Sequence, residues 1–115
     1  MIERRRAAKL GAVVLGMVLA LTVSGCQKRI KGTIQVKGEK QVAFAEMAKI
    51  SLADAVNSAT QSYPGKAIKA ELLNLDGYLV YETEIVTNDN TVMDVTVDAG
   101  SGTILKTEPG KSGRD

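Results

Sequence analysis

The sequence has no histidine and no tryptophan, and only one phenylalanine, one cysteine and two prolines in 115 residues. Without histidine there is no imidazole general base, no Ser-His or Cys-His nucleophile pair and no histidine metal ligand. A single cysteine excludes an internal disulfide, a cysteine-rich zinc site and a dithiol redox centre. Acid–base chemistry is left to carboxylates, lysine, serine and tyrosine. Aromatic residues make up 3% of the chain, which leaves few rings to stack on bases. The net charge of +2 is unevenly placed. Residues 1–25 carry Arg4, Arg5, Arg6 and Lys9 against Glu3, a net of +3. Residues 26–115 carry 11 basic and 12 acidic side chains, a net of −1. With no basic stripe beyond the N-terminus, nucleic acid is not an expected partner.

What is present begins with a basic segment, Met1 to Lys9, followed by 14 uncharged residues from Leu10 to Val23. A permanent transmembrane helix needs about 20 apolar residues. The run is short for that and has the layout of a secretory signal. It ends in small residues, and Leu21-Thr22-Val23-Ser24-Gly25-Cys26 resembles the lipobox of bacterial lipoproteins. The resemblance implies thioether lipidation of Cys26, cleavage between Gly25 and Cys26, and acylation of the new amino terminus. A short anchor ending in a free cysteine, or a plain signal peptide with an incidental cysteine, shares the layout. Neither explains why the small residues and the sole cysteine coincide. One acyl chain binds membranes only marginally, whereas two or three on one residue hold firmly. Gln27 in place of the Asp that commonly retains lipoproteins at the inner membrane leans toward the outer membrane, facing the periplasm, in a Gram-negative source. Lys28, Arg29 and Lys31 then either touch anionic headgroups or belong to a solvated tether.

The part beyond the signal is 90 residues long. A domain of this size buries only about 60% of its unfolded surface, so local signals must be good. Thr33-Ile34-Gln35-Val36 alternates like a short strand, or is linker, and Ala43 to Lys49 is a helical turn or an irregular lead-in. Ser51-Leu52-Ala53-Asp54 forms a capping box, with Ile50 placed to staple onto Ala55. Leu52, Ala55, Val56 and Ala59 follow helical spacing and form one apolar stripe. Pro64-Gly65 stops the helix. Four strand-like segments follow, separated by turns rich in Asn, Asp and Gly. These are Lys66 to Leu73 (Ile68, Ala70 and Leu72 on one face), Tyr78 to Val86 (Leu79, Tyr81 and Ile85), Thr91 to Asp98 (Met93, Val95 and Val97) and Thr103 to Thr107. The pattern predicts an α+β fold, one N-terminal helix packed on one face of a four-stranded antiparallel β-meander. The opposite face carries Lys69, Glu71, Glu82, Glu84, Asp94 and Thr96, mixed with Val80, Val86 and Val92. Residues 109–115 are polar and expected to be disordered.

Ile50-Ser51-Leu52-Ala53-Asp54-Ala55, Pro64-Gly65, Asp76-Gly77, Val80-Tyr81-Glu82 and the run from Val97 to Leu105 resemble the PepSY domain. In the last of these Asp98 can cap the turn and Gly102 supply a reversed φ. Thr96 replaces an aromatic often found there, and Asn88-Asp89-Asn90 replaces an Asp-Gly turn. The expected organisation is a removed lipoprotein signal peptide at 1–25, a lipidated tether and lead-in at 26–49, a PepSY domain at 50–108 and a tail at 109–115. PepSY domains occur in the propeptides of thermolysin-like metallopeptidases and in envelope proteins. The resemblance implies local inhibition or regulation of a peptidase, without catalytic residues.

Two other chemistries lose to simpler readings. Glu82 and Glu84, with Glu71 and Asp94 on neighbouring strands, form an acidic patch, and paired carboxylates can do acid–base work. A solvated sheet face explains them better. Asn88-Asp89-Asn90 is rich in oxygen but lacks the following Gly and distant Glu of an EF-hand, so a hairpin turn is favoured over calcium. No catalytic residue, metal or cofactor is therefore expected. The expected partners are the membrane, through lipid on Cys26, and an envelope peptidase. The alternative is a structural or accessory envelope lipoprotein that binds a sensor or transport protein.

Overall fold

Ser51 starts the main helix with two reciprocal hydrogen bonds. Its hydroxyl accepts the Asp54 N–H at 3.0 Å, and its own N–H donates to the Asp54 carboxylate at 3.2 Å. The computed structural model describes residues 29–110. Along them run α1 (Gln41–Met47), α2 (Leu52–Ser62), β1 (Gly65–Leu75), β2 (Tyr78–Thr87), β3 (Val92–Asp98) and β4 (Ile104–Pro109). No helix among them is long and apolar enough to cross a membrane. Tyr63 caps the C-terminus of α2 with φ −129°, and Pro64 follows.

The strands form one antiparallel sheet in the order β1-β2-β3-β4, the predicted meander. The β1–β2 turn is a two-residue hairpin in which Asp76 and Gly77 both take positive φ, 55° and 89°. That pair of left-handed residues matches the twist of the flanking strands. The Asn74 side chain accepts the Gly77 N–H at 3.0 Å. The β2–β3 turn closes through Asn90 N–H to Thr87 O at 2.9 Å, with Asn90 at φ 63°. Asn tolerates this conformation, so it serves where an Asp-Gly turn would place its glycine.

The core lies between α2 and the sheet. Ala55 and Ala59 are fully buried, and their small side chains bring the helix close to Leu79, Tyr81, Ile85, Val95 and Val97. The face assignments predicted for β2 and β3 hold. Two of the predicted core positions differ from expectation. Leu52 is the first helical residue and stands 46% exposed beyond the sheet, so the stripe begins at Ala55. The β1 register shifts between Ala67 and Lys69. This bulge turns Ile68 outward, 54% exposed, and puts Ala67 against the core in its place. The fourth strand also runs later than predicted. Pro109 pairs with Met93, and the Gly110 N–H donates to Val92 O at 2.7 Å. The rest of the expected tail, 111–115, lies outside the described residues, as does the expected signal peptide.

The lead-in is part of the packed structure. The α1 helix adds to the one predicted, buries Phe44 and contacts β1. Gln35 forms an antiparallel bridge with Tyr78. Val36 N–H donates to Gly77 O and Leu79 N–H to Ile34 O, both at 2.9 Å. Ala99 N–H bonds Leu79 O, and there β3 turns away. Residues 34–36 thus take over the edge of β2 that β3 has left. Ile34 and Val36 pack on the core, and Ile30 is buried.

Candidate interaction surface

Strand register sorts the face away from α2 into rows, because directly opposed residues of antiparallel strands point the same way. One row reads Lys69, Glu84, Asp94, Glu108 from β1 to β4. The next reads Glu71, Glu82, Thr96, Lys106. Five carboxylates thus share these two rows, Glu82, Glu84 and Asp94 on the central strands and Glu71 and Glu108 on the edge strands, with one lysine on each edge strand. Like charges directly opposite one another, as at Glu71–Glu82 and Glu84–Asp94, weaken a sheet. Lys106 approaches Glu108 only to 3.9 Å, with both side chains 43% exposed, and such a pair contributes little. The acidic row is flanked by Lys66, Val86 and Val92 on one side. On the other, past the Glu71–Lys106 row, lie Leu73, Val80 and Asp98.

That second flank is not open to water. Val80 and Asp98 are fully buried and Thr96 nearly so, against the expectation that Val80 and Thr96 lie on a solvated face. At Asp98 the lead-in supplies the cover. Gly32 lies so close to Asp98 and Tyr78 that a methyl group there would collide with the Asp98 carboxylate. Gly100 similarly leaves room for the Thr33 hydroxyl.

Asp98 is the junction. One carboxylate oxygen accepts the Thr33 N–H at 2.9 Å. The other accepts the Thr33 hydroxyl at 2.7 Å, the Ser101 N–H at 2.8 Å and the Ser101 hydroxyl at 2.7 Å. Burial pushes this carboxyl up, but the Thr33 and Ser101 donors outweigh it and hold it below the ordinary carboxylate value. The predicted turn role holds as well. Gly102 has φ 83°, and its N–H bonds Asp98 O at 2.9 Å. The Thr33 half of the cluster escaped sequence reasoning. The signal available was the apolar-polar alternation of Ile34 to Lys37 and the placement of the sole Phe44 just after it.

The other predicted positions separate cleanly. Gly25 and Cys26 lie outside the described residues. In the Asn88-Asp89-Asn90 turn the Thr87 hydroxyl donates to the Asp89 carboxylate and lowers its proton affinity. The carboxylate thus serves the turn itself. Among the described residues, no three acidic or cysteine side chains group as ligands for a metal ion. Chemically, the arrangement offers a charged docking face framed by two edge strands, with one end closed by the lead-in.

Comparison with curated proteins and with solved structures returned no significant match. The profile of the PepSY family, described as peptidase propeptide and YPEB domain, matches residues 49–108. That is 60 of 115 residues, from just before the α2 cap to the penultimate residue of β4. The chain belongs to the PepSY family, whose domains are of the propeptide or inhibitor type and generally not catalytic.

Proposed function

We propose that this protein is a lipid-anchored PepSY module of the bacterial cell envelope that docks on a peptidase and restrains it. The observation that carries this reading is the family match across α2 and the whole meander. The family supports a regulatory or binding role of the peptidase-propeptide kind, and the five-carboxylate face supplies a surface for a partner's basic segment. Lipid on Cys26, after cleavage behind Gly25, would confine module and target to one membrane. In a Gram-negative source Gln27 favours the outer membrane, with the domain in the periplasm. Tethering raises the effective concentration of the pair, so a modest contact suffices.

The test is capture of partners from envelope extract with the mature protein, followed by addition of the protein to what is captured. Recovery of a peptidase whose activity falls on addition supports the reading, and Glu82→Lys with Glu84→Lys should weaken both capture and inhibition. Recovery of transport or signalling proteins alone would overturn the peptidase role in favour of an accessory lipoprotein. The anchor is tested separately. Cys26→Ser should give an uncleaved or soluble product, and a processed, membrane-held variant would disprove lipidation.

A further inference from the structure

The described chain divides sharply by charge. Residues 29–40 carry Arg29, Lys31, Lys37 and Lys40 against Glu39, four basic and one acidic side chain, a net of +3. Residues 41–110 carry four basic and ten acidic side chains, a net of −6. All five charged side chains of the first segment are exposed. The segment is also fixed to the body. Ile30 is buried, Thr33 is held by Asp98, and residues 34–36 are bonded to the start of β2. Lys31 and Lys37 line one hollow of about 510 Å³ with Thr33, Gln35, Glu39 and Tyr78. Asp76 adds an opposing charge from the adjoining β1–β2 turn, whose Gly77 carbonyl holds Val36.

We infer that this lead-in is a basic strap whose lysines meet an anionic membrane surface at the Gln35–Tyr78 end of β2 and orient the domain, with the β2–β3 turn pointing away. The inference rests on the anchoring reading above. Cys26 is four residues from Ile30, so at most about 14 Å of chain separates the lipid site from the packed domain. Charges on the strap can thus come within reach of the surface potential, which decays over about 8 Å at physiological salt. The same potential repels the acidic body. Gln35, opposite Tyr78, and Asn88, just past Thr87, mark the two ends of β2. Ten strand residues separate these ends by about 30 Å, well beyond that decay length. An upright domain leaves the five-carboxylate face at the side, open to a partner held in the same membrane.

The experiment uses full-length protein processed in a bacterial host, purified from membranes and checked by intact mass. Gln35→Cys and Asn88→Cys variants are dye-labelled; a lipid-blocked Cys26 leaves one reactive thiol in each. They are reconstituted into vesicles of phosphatidylcholine with or without phosphatidylglycerol, each containing lipid with a nitroxide headgroup quencher. On anionic vesicles the dye at 35 should be quenched clearly more than the dye at 88, because the length of β2 holds position 88 about 30 Å further from the headgroups. The contrast should shrink on neutral vesicles and with Lys31→Glu plus Lys37→Glu, while the thermal melt of that variant stays unchanged. Equal quenching at the two positions on anionic vesicles, with lipid on Cys26 confirmed, would overturn the strap alone. So would a contrast that persists unchanged on neutral vesicles. A mass without lipid, with both dyes unquenched, counts against the anchor and the strap together.

Discussion

Thr33 donates both its backbone N–H and its hydroxyl to the carboxylate of Asp98, 65 residues further along the chain. These two bonds join the lead-in to the β3–β4 turn and close one end of the sheet. Thr33→Val keeps the shape and removes the hydroxyl bond. It should cost about 1–3 kcal/mol, since the bond is to a charged group. Asp98→Ala leaves the Thr33 and Ser101 donors without their acceptor and should cost more. Urea unfolding of both variants checks the order. A fragment of residues 49–110 loses Ile30, Ile34, Val36 and Phe44 from the packing and should be markedly less stable than the chain from residue 29, as read by the same titration.

The same carboxylate sets an acid limit. Its proton affinity is lowered in the folded state, so unfolding is accompanied by proton uptake near the unfolded value of about 3.9. The contribution of Asp98 to stability is therefore complete well above that value. It declines as pH falls through it, and is gone below the depressed folded value. Asp98→Asn should lower stability at neutral pH and flatten the acid limb. Exposed Asp89 and Glu39, also held low, leave a residual slope. Melting temperature against pH from 7 to 2 for both proteins decides this.

Tyr81 ties the sheet to the start of α2, its hydroxyl donating to Ile50 O at 2.8 Å. Tyr81→Phe should destabilise by about 1 kcal/mol, the usual net worth of one hydrogen bond. Desolvation, with a smaller push from Asp54, raises the proton affinity of this phenol. Its contribution is thus present below the ordinary tyrosine value and lost as pH rises through the folded one. An ultraviolet titration should show Tyr81 ionising above the ordinary tyrosine value, a step that the Tyr81→Phe variant should lack.

Val97 is fully buried between Tyr81 and Ile104 in the register and faces α2. Val97→Asp places an unpaired charge in the core and should unfold a domain whose whole stability is on the order of 5–15 kcal/mol. Circular dichroism and a melting curve read the outcome directly. A wild-type melt would mean that the face assignment is inverted.

The contrast between what the sequence disclosed and what it hid follows the range of the interactions. The capping box at Ser51, the Asp76-Gly77 hairpin and the faces of β2 and β3 are local or strictly alternating, and each was legible. The β1 bulge was not, because a register shift is decided by the partner strand and leaves no mark in Ile68 itself. The burial of Val80 and Thr96 was hidden as well, since strand alternation only puts both on the face away from α2. Of the interaction surface, the acidic residues and the turn role of Asp98 were legible. The Thr33 bonds were not, because a threonine before an alternating run has many equally plausible partners.

The offset at Ile68 bears on self-association. An eleven-residue strand at the rim of a sheet is a template on which another copy's strand can add, and long flat rims seed fibrils. Here the kink interrupts the row of free amide and carbonyl groups between Ala67 and Lys69, and Lys66 and Lys69 bracket it. An incoming strand falls out of step within three residues of Gly65 and meets positive charge on both sides of the break.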